Sequence, residues 1–249
     1  MSEVSYILPP PARVAIPVFG SDALYPVRRI YCVGRNYAEH IREMGGDERQ
    51  PPFFFQKPTD AIVLDGARIA YPSITSDFQH EIELVLAVGR AGSDIPPERA
   101  ADHIFGQAVG IDLTRRDIQV EARKAGRPWE IGKSFDHSAP IGLLHPLDGG
   151  PLPTAGSISL TVNGELRQEG DLAQLIWSCA EIVSQLSRQY HLEPGDLIYT
   201  GTPAGVGPVR TGDRIAGHVA ELTSLNIVIV DRLGAGKAPT PNDLSVELR

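Results

Sequence analysis

The sequence predicts a β-rich α+β fold, in which many short strands are joined by turns and a few helices. The 249 residues include 25 glycines and 21 prolines, which separate short apolar runs such as RRIYCVG, IELVLAV, ISLTV and LNIVIV. These runs do not alternate regularly with long helical segments, so a doubly wound parallel sheet is disfavoured. A chain of this length buries one large core.

Four helices are predicted, the first two from signals at their ends. Asn36 caps NYAEHIREM, with Glu39 three residues later and a Gly-Gly pair after it. The segment PPERAADHIF is entered through a proline in its first turn, where the missing N–H costs nothing.

The third and fourth helices are predicted from a capping box and an apolar stripe. Thr114 and Asp117 form the box that opens RRDIQVEARKA. The longest helix is expected from Asp171 to about Tyr190, because apolar residues recur there at helical spacing. A hairpin is predicted at Asn163-Gly164, the strongest short turn signal in the chain.

Composition narrows the function classes. Asp and Glu total 31 against 23 Lys and Arg, and the net charge of −8 argues against a partner bound through its phosphates, so no nucleic acid is expected. Cys32 and Cys179 lie in separate apolar stretches, as is typical of free thiols in a reducing cytoplasm. The N-terminus has no signal-peptide pattern and no run approaches about 20 apolar residues, so a cytoplasmic location without membrane contact is expected.

Two acids, Glu81 and Glu83, stand at the mouth of an apolar strand. Alternate strand residues share a face, so the two side chains project to one side, about 6–7 Å apart along the chain. An isolated Glu-x-Glu is more often a solvated strand end. Here residues 84–88 are apolar on both faces, so the acids enter the core and repel each other unless a cation lies between them.

Asp112 supplies a candidate third ligand, because it ends another apolar strand just before a helix. Three carboxylates without cysteine or clustered histidine form an all-oxygen site. Such a site favours Mg²⁺, Mn²⁺ or Ca²⁺ over zinc.

His40 and Glu43 form a second candidate pair. On a helix they lie at positions i and i+3 on one face, so the carboxylate can orient the imidazole as a general base. The alternative is an ordinary surface pair, which residue types alone favour.

Basic residues recur in Gly- or Pro-marked contexts, and together they suit an anionic substrate, although each alone is an ordinary surface charge. They are Arg35, Lys57, Arg115, Arg116 and Lys133. The turn YTGTPAGVG follows a strand and could present backbone N–H groups to an oxyanion.

Taken together, several segments resemble the fumarylacetoacetate hydrolase family, in particular its short acylpyruvase and fumarylpyruvate hydrolase branch. They are YCVGRNYAEHIREM, HEIELVLAVG, GIDLTRRDIQ, GKSFD, VNGELRQEG and PGDLIYTGTPAGVGPV, in order over residues 28 to 230. The resemblance implies a mixed β-sandwich roll with peripheral helices, commonly a homodimer. It divides the chain into an N-terminal extension packed on the domain (1–27), a catalytic domain (28–232) and a polar tail (233–249).

The resemblance also implies roles for individual residues. Glu81, Glu83 and Asp112 would hold Mg²⁺ or Mn²⁺, with Ca²⁺ as a substitute in a crystal. His40 and Glu43 would activate water, and Lys133 would face the reacting carbonyl. The substrate-binding positions would be Arg35, Lys57, Arg116, Gln119 and Thr202.

The implied activity is metal-dependent cleavage of the carbon–carbon bond of acylpyruvates, with fumarylpyruvate giving fumarate and pyruvate. The partner is then a small anionic 2-oxo acid. The same scaffold suits an oxaloacetate or 2-oxo acid decarboxylase, or a hydroxymuconate isomerase. A different class is a non-catalytic calcium-binding protein, which would have no use for His40 and Glu43.

Overall fold

The computed structural model describes residues 6–37 and 50–232 and confirms the β-rich α+β prediction. The strands are β1 (Ala15–Pro17), β2 (Leu24–Pro26), β3 (Arg29–Gly34), β4 (Phe53–Lys57), β5 (Ile62–Val63), β6 (Arg68–Ala70), β7 (Phe78–His80), β8 (Ile82–Val88), β9 (Ile104–Ile111), β10 (Thr114–Arg115), β11 (Ala139–Pro140), β12 (His145–Pro146), β13 (Ser157–Val162), β14 (Glu165–Asp171), β15 (Asp196–Tyr199), β16 (Gly207–Pro208), β17 (Arg214–Val219) and β18 (Leu225–Val230). The helices of the described ranges are α1 (Arg116–Lys124), α2 (Glu130–Lys133) and α3 (Cys179–Ser187), with 3-10 helices over Thr59–Ala61, Pro97–His103 and Leu172–Gln174.

Two large sheets form the body of the molecule. One has six strands in the order β12-β9-β8-β15-β3-β4, and the other has five in the order β14-β13-β17-β18-β6. They pack face to face, with Gly217 of β17 directly against Ile82 of β8. The largest apolar core lies between them and includes Leu84 and Leu86 of β8 and Leu160 of β13.

The six-stranded sheet is covered on its second face as well. A second apolar cluster there joins Val85 of β8 to Ile16 and Tyr25 of the β1–β2 hairpin. Every residue of β8 is therefore buried, which explains why this strand is apolar on both faces. Glu83 lies within this buried strand and Glu81 directly precedes it.

The four predicted helices have different outcomes. The first, after Asn36, falls largely in residues 38–49, outside the described ranges. The second is a 3-10 helix over Pro97–His103. The third is α1, but its predicted capping box is wrong, because Arg115 occupies the N-cap without a side-chain cap. The Thr114 hydroxyl instead contacts Lys133 and Glu81.

The prediction of one helix from Asp171 to Tyr190 is wrong. Asp171 caps only the 3-10 helix Leu172–Gln174, and α3 begins after Ser178, which forms a capping box with Glu181. The chain between them is not helical, and Asn36 binds it there. Its side chain accepts from the Trp177 N–H at 2.8 Å and donates to the Trp177 carbonyl at 2.9 Å.

Other local predictions are confirmed. Asn163 and Gly164 join β13 to β14, and both have positive φ, as a type I′ turn requires. Cys32 and Cys179 are buried free thiols. Within the described ranges, no helix is long and apolar enough to cross a membrane.

Candidate active site

Three buried carboxylates meet at one end of the β8–β9 ladder. Glu81 directly precedes β8, Glu83 lies within it, and Asp112 directly follows β9. The Asp112 N–H donates to the Glu81 carbonyl at 2.8 Å, which aligns the two chain segments. Ligand oxygens of all three lie within 4.8 Å of one another, and none of the residues is more than 6% exposed.

Lys133 lies at the end of α2 and inserts its ammonium between two of these acids. Its Nζ lies 2.6 Å from Asp112 Oδ2, 2.8 Å from Glu81 Oε2 and 2.7 Å from Thr114 Oγ1. Burial by itself lowers the pKa of Lys133, but the charges of Asp112 and Glu81 outweigh it and the net pKa is raised. The two carboxylates therefore favour the charged form of Lys133.

Lys57 lies behind Asp112 and not on the cavity wall. Its Nζ is 2.8 Å from Asp112 Oδ1 and donates to Ser138 Oγ at 3.0 Å, to the Leu113 carbonyl at 3.3 Å and, over a very short distance, to the Lys133 carbonyl. The structure therefore separates Lys57 from the other predicted substrate-binding positions. The Lys57 ammonium instead supports Asp112 and the backbone of Lys133.

Glu83 is the one of the three acids that forms no direct ion pair with a cation among the described residues. Its Oε2 accepts from the Gly201 N–H at 2.7 Å. Burial, reinforced by the charges of Asp112 and Glu81, raises the pKa of Glu83 well above its usual range. Gly201 is required at this contact because its φ is +105° and a Cβ there would lie 2.7 Å from Asn36 Cβ.

These features fit a hard divalent cation. The donor set is all oxygen, and Glu83 forms no direct ion pair with a described cation. Asp112 Oδ1 is buried without a hydrogen bond, since its contact with Lys57 lacks hydrogen-bond geometry. A divalent ion held by Glu81, Glu83 and Asp112 would give Glu83 a positive partner and Asp112 Oδ1 a bonding partner.

A cavity of about 240 Å³ opens over the carboxylates. Arg116 and Gln119 project into it from α1, and Arg116 binds Glu81 through a very short contact and Gln119 Oε1 at 2.6 Å. Arg35 and Thr202 also line it. The backbone of Arg35 is left-handed, with φ +60°, a conformation that residues other than glycine adopt mainly where surrounding structure imposes it.

Part of the cavity lining is apolar. Val120 and Trp129 give it an apolar wall, and the Trp129 ring packs edge-on against Phe53 with centroids 4.9 Å apart. Arg123, an exposed residue of α1, also lines the cavity. The cavity lining therefore combines acidic, cationic and apolar side chains.

The predicted site residues that line the cavity are Arg35, Glu81, Glu83, Asp112, Arg116, Gln119, Lys133 and Thr202. His40 and Glu43 lie outside the described residues. The turn proposed to present N–H groups to an oxyanion uses its Gly201 N–H for Glu83. Sequence reasoning missed Arg123 and Trp129, although the spacing of Arg116, Gln119 and Arg123 places these three on one helical face.

The fold and this cavity are typical of an enzyme that acts on small molecules at a buried site for a hard cation. The sequence of the chain matches the family described as "Fumarylacetoacetate (FAA) hydrolase C-terminal" over residues 29–230. The chain therefore belongs to the fumarylacetoacetate hydrolase family.

The relatives of the chain differ in activity. The crystal structure of fumarylpyruvate hydrolase from Pseudomonas aeruginosa, in complex with Mn²⁺ and pyruvate, is 53% identical with a TM-score of 0.88, covering 91% of this chain and 100% of that one. Fumarylpyruvate hydrolase of Ralstonia sp is 43% identical over 177 residues, or 71% of this chain and 92% of that protein. Mitochondrial oxaloacetate tautomerase of Mus musculus is 40% identical over 202 residues, or 81% and 91%.

Proposed function

We propose that this protein is a divalent-metal-dependent hydrolase that cleaves the carbon–carbon bond of acylpyruvates, with fumarylpyruvate as the favoured substrate. The observation that carries the proposal is the buried triad of Glu81, Glu83 and Asp112, which lies beside Lys133 at the floor of a cationic cavity. The two similar fumarylpyruvate hydrolases support the choice of substrate.

Glu81, Glu83 and Asp112 would hold Mg²⁺ or Mn²⁺, and the Mn²⁺ of the Pseudomonas aeruginosa enzyme supports this assignment. When bound, the ion supplies a Lewis acid that polarises substrate oxygens and offsets negative charge. Lys57, Lys133 and Arg116 contact Asp112 and Glu81, and their three positive charges balance the formal charge of the three carboxylates. A divalent ion therefore leaves the site net positive, which suits a dianionic substrate.

The residues around the floor would bind the 2-oxo acid end of the substrate. Arg116 and Gln119 present donors that suit a carboxylate or an adjacent carbonyl oxygen, and Thr202 offers a hydroxyl. Fixing this end places the distal carbonyl carbon toward the cavity opening. Water attack on that carbon is then favoured by orientation as well as by charge.

His40, oriented by Glu43, is proposed to take a proton from the attacking water. The new carbon–oxygen bond forms at the distal carbonyl, and the bond to the neighbouring methylene carbon breaks. Its electron pair leaves with the pyruvate portion as an enolate, which then takes up a proton. Lys133, whose side chain lines the cavity beside Asp112, is proposed to stabilise this developing negative charge.

The outer cavity favours a substrate with a second carboxylate. Arg123 lies seven residues after Arg116 on α1, about 10 Å along the helix axis. Fumarylpyruvate carries carboxylates at its two ends and a flat unsaturated segment between them. The apolar wall of Val120 and Trp129 suits that segment, and Arg123 suits the far carboxylate.

Oxaloacetate tautomerisation is the second candidate, because a tautomerase is 40% identical to this chain. It needs the same carboxylate site for an enolate but no attacking water. Oxaloacetate is also shorter, so its second carboxylate would not reach Arg123.

The homodimeric state, the cytoplasmic location and the division at residues 28 and 232 stay predictions.

A substrate panel tests the proposal. Fumarylpyruvate, acetylpyruvate, oxaloacetate and a 2-hydroxymuconate are assayed with Mn²⁺ or Mg²⁺ and with chelator. We expect hydrolysis of fumarylpyruvate to fumarate and pyruvate, and its loss with chelator and in His40→Ala. Turnover that survives chelation would exclude the metal mechanism, and consumption of oxaloacetate alone would replace hydrolysis with the second candidate.

A further inference from the structure

Gln168 connects the two large sheets beside the carboxylate site. It lies on β14, at the edge of the five-stranded sheet, and is 1% exposed. Its Oε1 accepts from the Ile82 N–H at 3.0 Å and lies 2.8 Å from His80 Nδ1. Its Nε2 donates to Thr202 Oγ1 at 2.8 Å and to the Pro203 carbonyl at 3.0 Å. Every hydrogen-bonding position of the amide is used.

Two backbone groups determine which way this amide points. The Ile82 N–H can only donate, so it requires the amide oxygen, and the Pro203 carbonyl can only accept, so it requires the amide nitrogen. The opposite orientation would place a donor against a donor and an acceptor against an acceptor. The role of Thr202 follows, because its Oγ1 must accept a hydrogen bond from the Gln168 amide nitrogen.

This arrangement determines what the Thr202 hydroxyl can offer to the cavity. A hydroxyl has one hydrogen, and a bond accepted from Gln168 leaves that hydrogen free to be donated. Thr202 lines the cavity, is 5% exposed, and donates to no other residue in the described ranges. Its hydrogen is therefore available to a bound acceptor.

The backbone around Thr202 is also held against β14. Gly205 has φ +89°, and a Cβ there would lie 2.2 Å from the Arg167 carbonyl oxygen, so the loop packs more closely on the strand than any other residue would allow. The other end of the amide binds the N–H of Ile82, the residue between Glu81 and Glu83. One side chain thus sets the position of Thr202 relative to the carboxylate site.

We propose that Gln168 is a positioning residue that makes the Thr202 hydroxyl a hydrogen-bond donor to an oxygen of the bound 2-oxo acid. The proposal rests on the proposed function, because it takes a 2-oxo acid as the ligand. Gln168 itself touches no substrate atom and acts through Thr202.

A double-mutant cycle tests this role, with pyruvate binding to the Mn²⁺-loaded protein measured by calorimetry. Thr202→Val removes the hydroxyl at nearly constant shape, and we expect about tenfold weaker binding. Thr202→Ser keeps the hydroxyl and should stay within about threefold of the wild type. Gln168→Met should weaken binding roughly threefold or more in the wild type, but leave it unchanged within about twofold in the Thr202→Val background.

Ser187→Ala is the matched control. It removes a buried hydroxyl that accepts from the Ile95 N–H at 2.9 Å, outside the cavity. It should lower stability without changing pyruvate affinity. Equal losses from Gln168→Met in both Thr202 backgrounds would mean a general structural effect and would overturn the proposal.

If Gln168→Met does not fold, a crystal structure of the wild type with Mn²⁺ and pyruvate tests the proposal instead. Thr202 Oγ1 should lie within about 3.2 Å of a pyruvate oxygen. A hydroxyl turned away from the ligand overturns the role of Gln168 while leaving the proposed function intact. Failure of the wild type to bind pyruvate at all would count against the proposed function itself.

Discussion

The Lys57 ammonium lies 2.8 Å from Asp112 Oδ1, and both side chains are almost fully buried. The pair lies directly behind the cavity floor. The other carboxylate oxygen of Asp112 binds Lys133. Lys57 also donates to the carbonyl of Lys133. A single buried cation therefore supports both a proposed metal ligand and the residue proposed to stabilise negative charge.

Lys57→Met should destabilise the protein and weaken its metal site. Removing one partner leaves the buried Asp112 charge less well compensated, which costs about 3–5 kcal/mol of unfolding free energy. Loss of such a supporting contact lowers metal affinity by about 10- to 100-fold. Urea unfolding and Mn²⁺ titration measure the two effects. Arg99→Ala, which breaks an exposed pair with Asp102, should cost less than about 1 kcal/mol and leave Mn²⁺ affinity unchanged.

Mn²⁺ should stabilise the folded protein, because the ion binds three carboxylates that only the fold brings together. At a concentration 100 times its Kd, the gain is about 2.7 kcal/mol. Glu83→Gln should abolish this gain, as followed by thermal unfolding with and without Mn²⁺. Glu165→Gln changes an exposed carboxylate that pairs with Arg167 and should keep it. Equal gains in both variants would contradict the assignment of Glu83 as a ligand.

Arg123→Gln should change substrate preference more than overall activity. Loss of its charge removes a partner for the far carboxylate, so kcat/KM for fumarylpyruvate should fall about tenfold, equivalent to about 1.4 kcal/mol. Acetylpyruvate lacks that carboxylate, and its kcat/KM should stay within about twofold. Lys124→Gln, an exposed residue next along the helix, should affect neither substrate. Parallel losses on both substrates would show that Arg123 does not select the dicarboxylate.

Asp117 should contribute a pH-dependent part of the stability. Partial burial raises the pKa of its carboxyl, but hydrogen bonds from Thr75, Ser76 and the Ile118 N–H outweigh it, and the net pKa is lowered. The stabilisation is complete above the ordinary value of about 3.9 and is lost as pH falls through the lower folded pKa. Asp117→Asn should therefore cost about 1 kcal/mol at pH 7 and less at pH 3.

The comparison is made by urea unfolding at the two pH values. Asp102→Asn alters a carboxyl in an exposed pair and provides the control. A cost of Asp117→Asn that stays the same at both pH values would mean that its charge does not stabilise the start of α1.

Local sequence patterns were sufficient for the strands, the hairpin and the acids at strand ends. The apolar run after Glu83 predicted a buried strand, because a strand covered on both faces cannot alternate. Asn163-Gly164 predicted a tight turn from backbone preference alone. Helix ends were less well predicted, since Asn36 binds the chain at Trp177 and interrupts a segment whose spacing is helical.

The sequence by itself therefore determined the β-rich fold class, the carboxylates at the strand ends and the free thiols, because each depends on neighbours along the chain. Only the tertiary structure decided that Lys57 lies behind Asp112, that Thr114 faces Lys133 and that Gln168 reaches Thr202 from the other sheet. These contacts join residues that are 19 to 55 positions apart. Strand periodicity and capping rules describe neighbours along the chain, so they contain no information about such pairs.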